Sequence, residues 1–144
     1  MFEGLSREDV ISLVNNKVDE YNIFLYVIKH NSIADTFNSN ISRSTDSILE
    51  SISEGILIFT KNYILLMIFK YNEKAQLMEK DVIMGYSDIS EFKVKKFFNK
   101  VIISWIFNKV KYSYEFDIKN PGVYDFNVSN YYKLTENNWK VWLI

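Results

Sequence analysis

The sequence contains no cysteine, one proline, one histidine and four glycines among its 144 residues. The absence of cysteine excludes disulfides, thiol catalysis and cysteine-ligated metals, and the scarcity of proline and glycine leaves little room for flexible linkers. The longest apolar run, from Tyr63 to Phe69, is far shorter than the roughly 20 residues that a membrane-spanning helix needs. The N-terminus shows no cationic and apolar leader of the secretory type. We therefore expect a cytoplasmic protein.

Apolar and aromatic residues are abundant, at 48% and 17% of the sequence. This content excludes disorder for most of the chain, and its length suits a single domain over residues 1–144. The 17 basic and 18 acidic residues nearly cancel, whereas dedicated nucleic-acid binders carry a basic excess. We therefore expect no nucleic-acid partner. The many Asn, Ile and Lys residues suggest an AT-rich genome, such as that of a low-GC bacterium or its phage.

Helical spacing of apolar residues appears near both ends of the chain. It predicts an N-terminal helix over 6–20, with Ser6 as the N-cap. It predicts a C-terminal helix over 128–142, with Asn127 as the N-cap. Trp139 lies on the apolar side of this second helix, where a large aromatic side chain could fill the open end of a sheet.

Strand patterns fill the middle of the chain, from residue 55 to residue 118. Alternation of apolar and polar residues indicates a sheet with one buried and one solvated side, and asparagine at the junctions suits two-residue hairpin turns. The segment 31–53 is rich in Ser, Asn, Asp and Thr and is expected to form a long loop. A helix continuing through 21–28 stays open as an alternative to a strand there. The predicted strands are 21–28, 55–60, 63–71, 78–85, 91–98, 100–107 and 110–118, with turns at Lys61-Asn62, Asn99-Lys100 and Asn108-Lys109.

Two short motifs in the strand region carry a family resemblance. Phe59-Thr60 ends one strand before a polar turn and an apolar strand, and the segment 84–89 (MGYSDI) precedes another strand. The chain resembles the bacterial pleckstrin-homology (PH) domains, which have a Phe-Thr pair and an Ile-Pro-Tyr-x-x-Ile-like element at these places. The family usually has Arg where this chain has Tyr63, and proline where it has Gly85.

The resemblance covers roughly residues 55–118 and implies the fold. That fold is α+β and mainly β: a PH-like, strongly bent antiparallel sheet, or partly open barrel, with an N-terminal helix and a C-terminal capping helix. A lipocalin-like barrel of eight strands is the rival, and it would need a strand in place of the C-terminal helix. Bacterial members that resemble this chain tend to assemble into rings, so the resemblance also implies self-association.

The sequence shows no catalytic or metal-binding constellation. His30 is the only histidine, and no second base accompanies it. The carboxylates show neither metal-loop nor paired-catalyst spacing, and four scattered glycines make no phosphate-binding loop. We therefore expect a protein that is not an enzyme and that has no metal or cofactor. An enzyme with a site near His30 and the segment 31–53 is the weakest alternative.

Lysines and apolar residues alternate on the predicted outer face of the later strands. Apolar side chains on a face expected to be wet indicate an interface, and lysines there suit an acidic or anionic partner. Alternatively, the lysines only solvate the face and protect its edge, and the helix 6–20 or the segment 31–53 covers the apolar residues. The candidate binding residues are Lys93, Lys95, Lys109, Lys111, Phe97, Ile102 and Ile106.

We expect a non-enzymatic binding or scaffolding module that acts through self-association and protein partners. The alternative is a peripheral membrane adaptor that uses the same lysines and the aromatic C-terminus to contact anionic lipid. Eukaryotic relatives bind phosphoinositides through clustered basic residues in the loop between their first two strands. The corresponding loop of this chain holds only Arg43 among many Ser and Asn, which argues against a specific inositide site.

Overall fold

The structure is a computed structural model that describes residues 5–18, 23–30, 53–71, 74 and 76–140. Within these residues the chain forms two α-helices and seven β-strands, with a 3₁₀ turn between the fourth and fifth strands. The elements are α1 (Arg7–Lys17), β1 (Ile23–Lys29), β2 (Ser53–Phe59), β3 (Tyr63–Tyr71), β4 (Leu77–Gly85), the 3₁₀ turn (Tyr86–Asp88), β5 (Ile89–Phe97), β6 (Lys100–Phe107), β7 (Val110–Asp117) and α2 (Phe126–Glu136).

The start of α1 follows the prediction. The side chain of Ser6 accepts a hydrogen bond from the backbone N–H of Asp9 at 3.1 Å, which satisfies one of the free donors of the first turn. Val10 and Val14 are buried on one face of the helix, as the apolar spacing predicts. The helix ends at Lys17, earlier than predicted, because the next residue already has extended backbone angles.

The strand pattern is largely confirmed, with shifted ends. Residues 23–29 form a strand, so the helical alternative for this segment is wrong. Ser53 belongs to β2 rather than to the predicted loop, whose remaining residues, 31–52, lie outside the described residues. The turn between β5 and β6 is formed by Phe98-Asn99 and not by Asn99-Lys100, because Lys100 pairs with Phe97 in the ladder.

The seven strands form one antiparallel sheet in the order β4-β3-β2-β1-β7-β6-β5. The link between β1 and β7 is short, since only Ile28 and Lys29 pair across it. The sheet also curls: the indole N–H of Trp105 on β6 donates to the Met84 sulfur on β4 at 3.1 Å, although four strands separate β4 and β6 in the order. The described residues of β4 and β5 are not paired with each other. The fold is therefore α+β and mainly β.

The concave side of the sheet encloses the main core. Apolar side chains from β1, β2, β3, β4, β6 and β7 meet there, and Tyr131 and Leu134 of α2 complete it. Trp139 packs against this core and contacts Phe59, Phe92 and Tyr131 at ring-centroid distances of about 6 Å. Trp139 thus packs against the core as the sequence suggested, but it is partly buried and lies beyond the end of α2 rather than on the helix.

The extent of α2 differs from the prediction. The helix begins at Phe126 and ends at Glu136, and Asn138 and Trp139 then take positive φ angles, a conformation that terminates helices. Residues 141–144 lie outside the described residues. Because a helix occupies this part of the chain, the expected eighth strand of a lipocalin-like barrel is absent from residues 126–136.

Asn127 is not the N-cap of α2, as the sequence suggested, but a buried residue of its first turn. Its side-chain oxygen accepts from the backbone N–H of Tyr26 at 2.8 Å, and its amide donates to the carbonyl of Tyr26 at 2.6 Å. Asn130, one turn later, donates to the carbonyl of Phe24 at 2.8 Å. The two asparagines therefore satisfy backbone groups of β1 at the place where β7 no longer pairs with it.

Candidate functional site

Among the described residues, only one half of the convex side of the sheet is covered by a helix. α1 packs on β1, β2 and β3, where Val10 and Val14 meet outward-facing residues such as Ile56 and Met67. The apolar cluster beneath α1 contains no residue of β5, β6 or β7. Of the two predicted covers for the outer face of the later strands, the helix is therefore excluded, and the segment 31–52 lies outside the described residues. We call the outward side of β5, β6 and β7 the open face.

The register of the strands brings lysines and isoleucines together on the open face. Lys95 lies opposite Ile102, and Ile106 lies opposite Lys111. Both isoleucines are half-buried, whereas the lysines are exposed. Cross-strand neighbours of this kind lie about 5 Å apart at Cβ, so each isoleucine is flanked by the aliphatic stem of a lysine.

A depression of about 280 Å³ lies on the open face. Five of the seven predicted binding residues line it, and His30, Glu91, Ser104, Trp105 and Ser113 complete its wall. The five are Lys93, Lys95, Ile102, Ile106 and Lys111.

The two other predicted residues lie apart from the depression. Lys109 is in the tight turn between β6 and β7, where Asn108 and Lys109 have φ angles of 52° and 65°, as the sequence predicted for this turn. Its position in the turn, and not on the strand, separates it from Lys111. Phe97 is at the far end of β5, beside Phe98 at the tip of the hairpin between β5 and β6.

A bulge in β5 shapes one wall of the depression. Ser90 pairs with Ile106 and Lys93 pairs with Ser104, so two residues of β5 stand opposite one residue of β6. Glu91 takes the irregular position with a φ of 52°, while Phe92 turns inward against the core. A bulge of this type sharpens strand twist next to binding sites and disturbs the edge of a sheet.

Among the described residues, the open face carries more lysines than carboxylates, and three of these lysines form no ion pair. Glu115 already has partners, since its Oε2 lies 3.1 Å from His30 Nδ1 and 3.3 Å from Lys100 Nζ. Among the described residues, Lys93, Lys95 and Lys111 have no carboxylate within ion-pair distance. These three lysines therefore remain available to an acidic partner.

The surroundings of His30 do not form a catalytic triad. Its ring faces Glu115, but no hydroxyl of the described residues lies within hydrogen-bond distance of the ring. Anywhere among the described residues, no group of three or more His, Asp or Glu residues is placed to hold a metal ion. The absence of enzymatic activity stays a prediction.

A second basic depression, of about 300 Å³, lies where β7 begins. Lys29, Lys70, Lys80 and Lys111 line it together with Glu79 and the buried Ser53. Glu79 forms an ion pair with Lys17 of α1 at 2.9 Å. The sequence analysis did not identify this cluster, because its four lysines come from four different strands.

A carboxylic acid, Glu54, is fully buried beneath the N-terminal segment. Its Oε2 accepts from the backbone N–H of Leu5 at 3.1 Å and from the Tyr26 hydroxyl. Its Oε1 has no partner among the described residues. Burial raises the pKa of the Glu54 carboxyl above its ordinary value, against the lowering effect of those hydrogen bonds. Burial also raises the pKa of Tyr26, with Glu54 adding to the effect.

The chain matches no protein-family model, no curated protein and no solved structure. The described helices include none that is long and apolar enough to span a membrane. The resemblance to the bacterial PH domains therefore stays a prediction from the sequence motifs.

Proposed function

We propose that this chain is a non-enzymatic, PH-like binding module that docks an acidic segment of a protein partner on its open face. The observation that carries the proposal is a depression that no described residue covers, in which Ile102 and Ile106 lie between lysines that form no ion pair with a described residue. Apolar side chains supply buried area for a partner, and the lysines select a partner of the opposite charge.

The PH-like assignment is supported by contacts between the two motifs that suggested it. The Thr60 hydroxyl donates to the carbonyl of Tyr63 at 2.7 Å and accepts from its N–H at 3.0 Å, which closes the turn between β2 and β3. The Tyr86 hydroxyl then donates to the carbonyl of Thr60 at 2.5 Å. Gly85, which stands where the family has proline, has a φ of −65°, an angle that proline also adopts.

The charge of the open face favours a foreign partner over a second copy of the chain. β5 is an edge strand, and antiparallel pairing of two β5 strands would bring Lys93 and Lys95 of one copy close to the same lysines of the other. Like charges opposite each other destabilise strand pairs. An extended acidic segment would meet the same edge and the same lysines with favourable charge.

The proposal can be tested with a synthetic peptide of alternating glutamate and valine. We expect fluorescence anisotropy to show binding that weakens as salt is added, since exposed charges are screened over about 10 Å at 0.1 M ionic strength. The variant Ile102→Ser should weaken binding at all salt concentrations, and Lys95→Ser should weaken it mainly at low salt. Lys133→Ser, which removes an exposed lysine from α2, is the matched control.

Light scattering after size exclusion tests self-association separately. We expect a monomer across protein concentration and salt. A stable closed oligomer that Ile106→Lys dissociates would reassign the open face to contacts between copies of this chain. Equal peptide binding by the wild type and Ile102→Ser would contradict the proposed site.

A further inference from the structure

The hairpin between β5 and β6 ends in two exposed phenylalanines. Phe97 is 65% exposed and Phe98 is 82% exposed, and their rings pack edge to face at 4.7 Å between centroids. Neither ring contacts the two apolar clusters of the protein. The pair therefore presents a continuous apolar tip that no described residue covers.

The backbone at the tip makes this choice of residue costly. Phe98 has a φ of 56°, a left-handed conformation that bulky side chains rarely adopt and that glycine or asparagine adopts readily. The residue after Phe98 is Asn99, so exchanging these two neighbours would place a residue that tolerates this φ at position 98. The position thus carries an exposed aromatic side chain at the expense of local stability, and such strain is typical of sites with a function.

Lysines surround the tip on both faces of the hairpin. Lys95 and Lys96 precede Phe97 on opposite faces of β5, because neighbouring residues of a strand alternate. Lys100 pairs with Phe97, and Lys119 follows the residue whose N–H donates to the carbonyl of Asn99 at 2.9 Å. Among the described residues, only Lys100 of these four forms an ion pair, with Glu115.

Among the described residues, Asp117 is the one nearby carboxylate without an ion pair, and it does not cancel this charge. It accepts hydrogen bonds from the backbone N–H groups of Lys119 and Asn120 at 2.8 Å and 2.7 Å. These bonds lower the pKa of Asp117, so its charge persists and stays turned toward the chain after β7. Three lysines against this one carboxylate leave a net positive charge at the tip.

We infer that the hairpin between β5 and β6 is a wedge that inserts Phe97 and Phe98 into the surface of an anionic lipid bilayer. Aromatic side chains partition into the boundary between headgroups and acyl chains. Lysines beside them bind anionic headgroups, an attraction that falls off within a Debye length. The earlier expectation that the aromatic C-terminus contacts lipid does not hold for Trp139, which packs against the core.

Vesicle co-sedimentation with the full chain tests this inference. We expect binding to vesicles of phosphatidylcholine and phosphatidylserine, weaker binding to phosphatidylcholine alone, and loss of binding as salt is added. The variant Phe98→Asn should bind the mixed vesicles at least about tenfold more weakly, since a buried aromatic side chain contributes more than one factor of ten. The same variant should raise the urea midpoint, because asparagine tolerates the positive φ of this turn.

Two control variants separate the tip from other surfaces. Val123→Asn removes an exposed apolar side chain outside the hairpin and should bind vesicles like the wild type. Lys70→Ser with Lys80→Ser removes charge from the second basic depression and should leave most of the binding intact.

Several results would overturn the inference. They are no sedimentation of the wild type with mixed vesicles at low salt, equal binding by Phe98→Asn, or loss of binding only in the Lys70→Ser and Lys80→Ser variant. If Phe98→Asn lost binding to the acidic peptide and the wild type did not bind vesicles, the tip would be assigned to a protein partner instead. The inference shares Lys95 with the proposed function, but its test variant, Phe98→Asn, lies outside the depression, so its failure can be told apart from that of Ile102→Ser.

Discussion

The two halves of the convex side of the sheet differ in whether a helix covers their outward-facing side chains. On β1, β2 and β3, outward-facing residues such as Ile56 and Met67 are fully buried beneath α1. On β6, Ile102 and Ile106 occupy the equivalent outward positions and remain half-exposed between lysines. One face of one sheet thus serves as a core in one half and as a surface in the other.

Strands covered on both faces can be told from strands covered on one face by their sequence pattern. β2 is buried at every position, and its apolar run from Ile56 to Phe59 leaves no residue for solvent. β6 alternates buried Val101, Ile103 and Trp105 with half-exposed residues. A continuous apolar strand therefore indicates cover on both faces, and a strictly alternating strand indicates cover on one.

The largest loss of stability should come from the covered half, as a comparison of two isoleucines on the same face would show. Ile56→Ala should lower the free energy of unfolding by about 2 to 5 kcal/mol, because it leaves a cavity beneath α1. Ile102→Ala should lower it by roughly 1 kcal/mol or less, since this side chain is already in contact with solvent. Urea denaturation of both variants gives the two values. Equal losses would mean that something else covers the open face.

The second prediction concerns the boundary between the two halves. Asn127→Ala should lower the free energy of unfolding by about 2 to 4 kcal/mol, because the buried N–H and carbonyl of Tyr26 each lose their partner and each such loss costs at least about 1 kcal/mol. Ser129→Ala, on the exposed side of the same helix, is the control and should change little. Thermal or urea unfolding measures both. Similar values for the two variants would mean that water replaces the asparagine.

The smallest effect should appear in the pH dependence of the covered half. Since burial raises the pKa of Glu54 in the folded protein, the folded state holds this proton more tightly than the unfolded state. Its contribution to stability is therefore present below the ordinary carboxyl pKa and is lost as pH rises through the folded pKa. Glu54→Gln removes this dependence.

Urea midpoints across the acidic to neutral range test the Glu54 prediction. The Gln variant should lose less stability than the wild type as pH rises. Glu91→Gln, which removes an exposed carboxylate from the open half, is the control and should keep the wild-type slope. A slope unchanged by Glu54→Gln would show that this carboxyl does not titrate in the window.

Much of the fold could be predicted from period and composition. The strands β3 and β6 have the predicted limits, and the cap at Ser6 follows from a local pattern. The role of Asn127 could not be predicted in this way, because its partner is 101 residues away in the sequence. An asparagine near the start of a helix is typical of a cap, and only the tertiary structure shows that it completes a strand.

The candidate site was predictable to the extent that alternation defines a face. It placed Lys93, Lys95 and Ile102 on one side of the sheet, and the strand register then brought them together. It did not identify the tip, because turn propensity favours Asn99 over Phe98 for a positive φ. Two adjacent phenylalanines also interrupt the alternation of β5, and that interruption was the available signal.

The hydrogen bonds between Asn127 and Tyr26 also bear on how the chain folds while it is being synthesised. A ribosome completes β1 long before it reaches residue 127, so this edge of the early strand has no partner until α2 has been made. Unpaired strand edges are templates for aggregation. A nascent or truncated chain that stops before α2 would expose this edge, so α2 also protects it against misassembly.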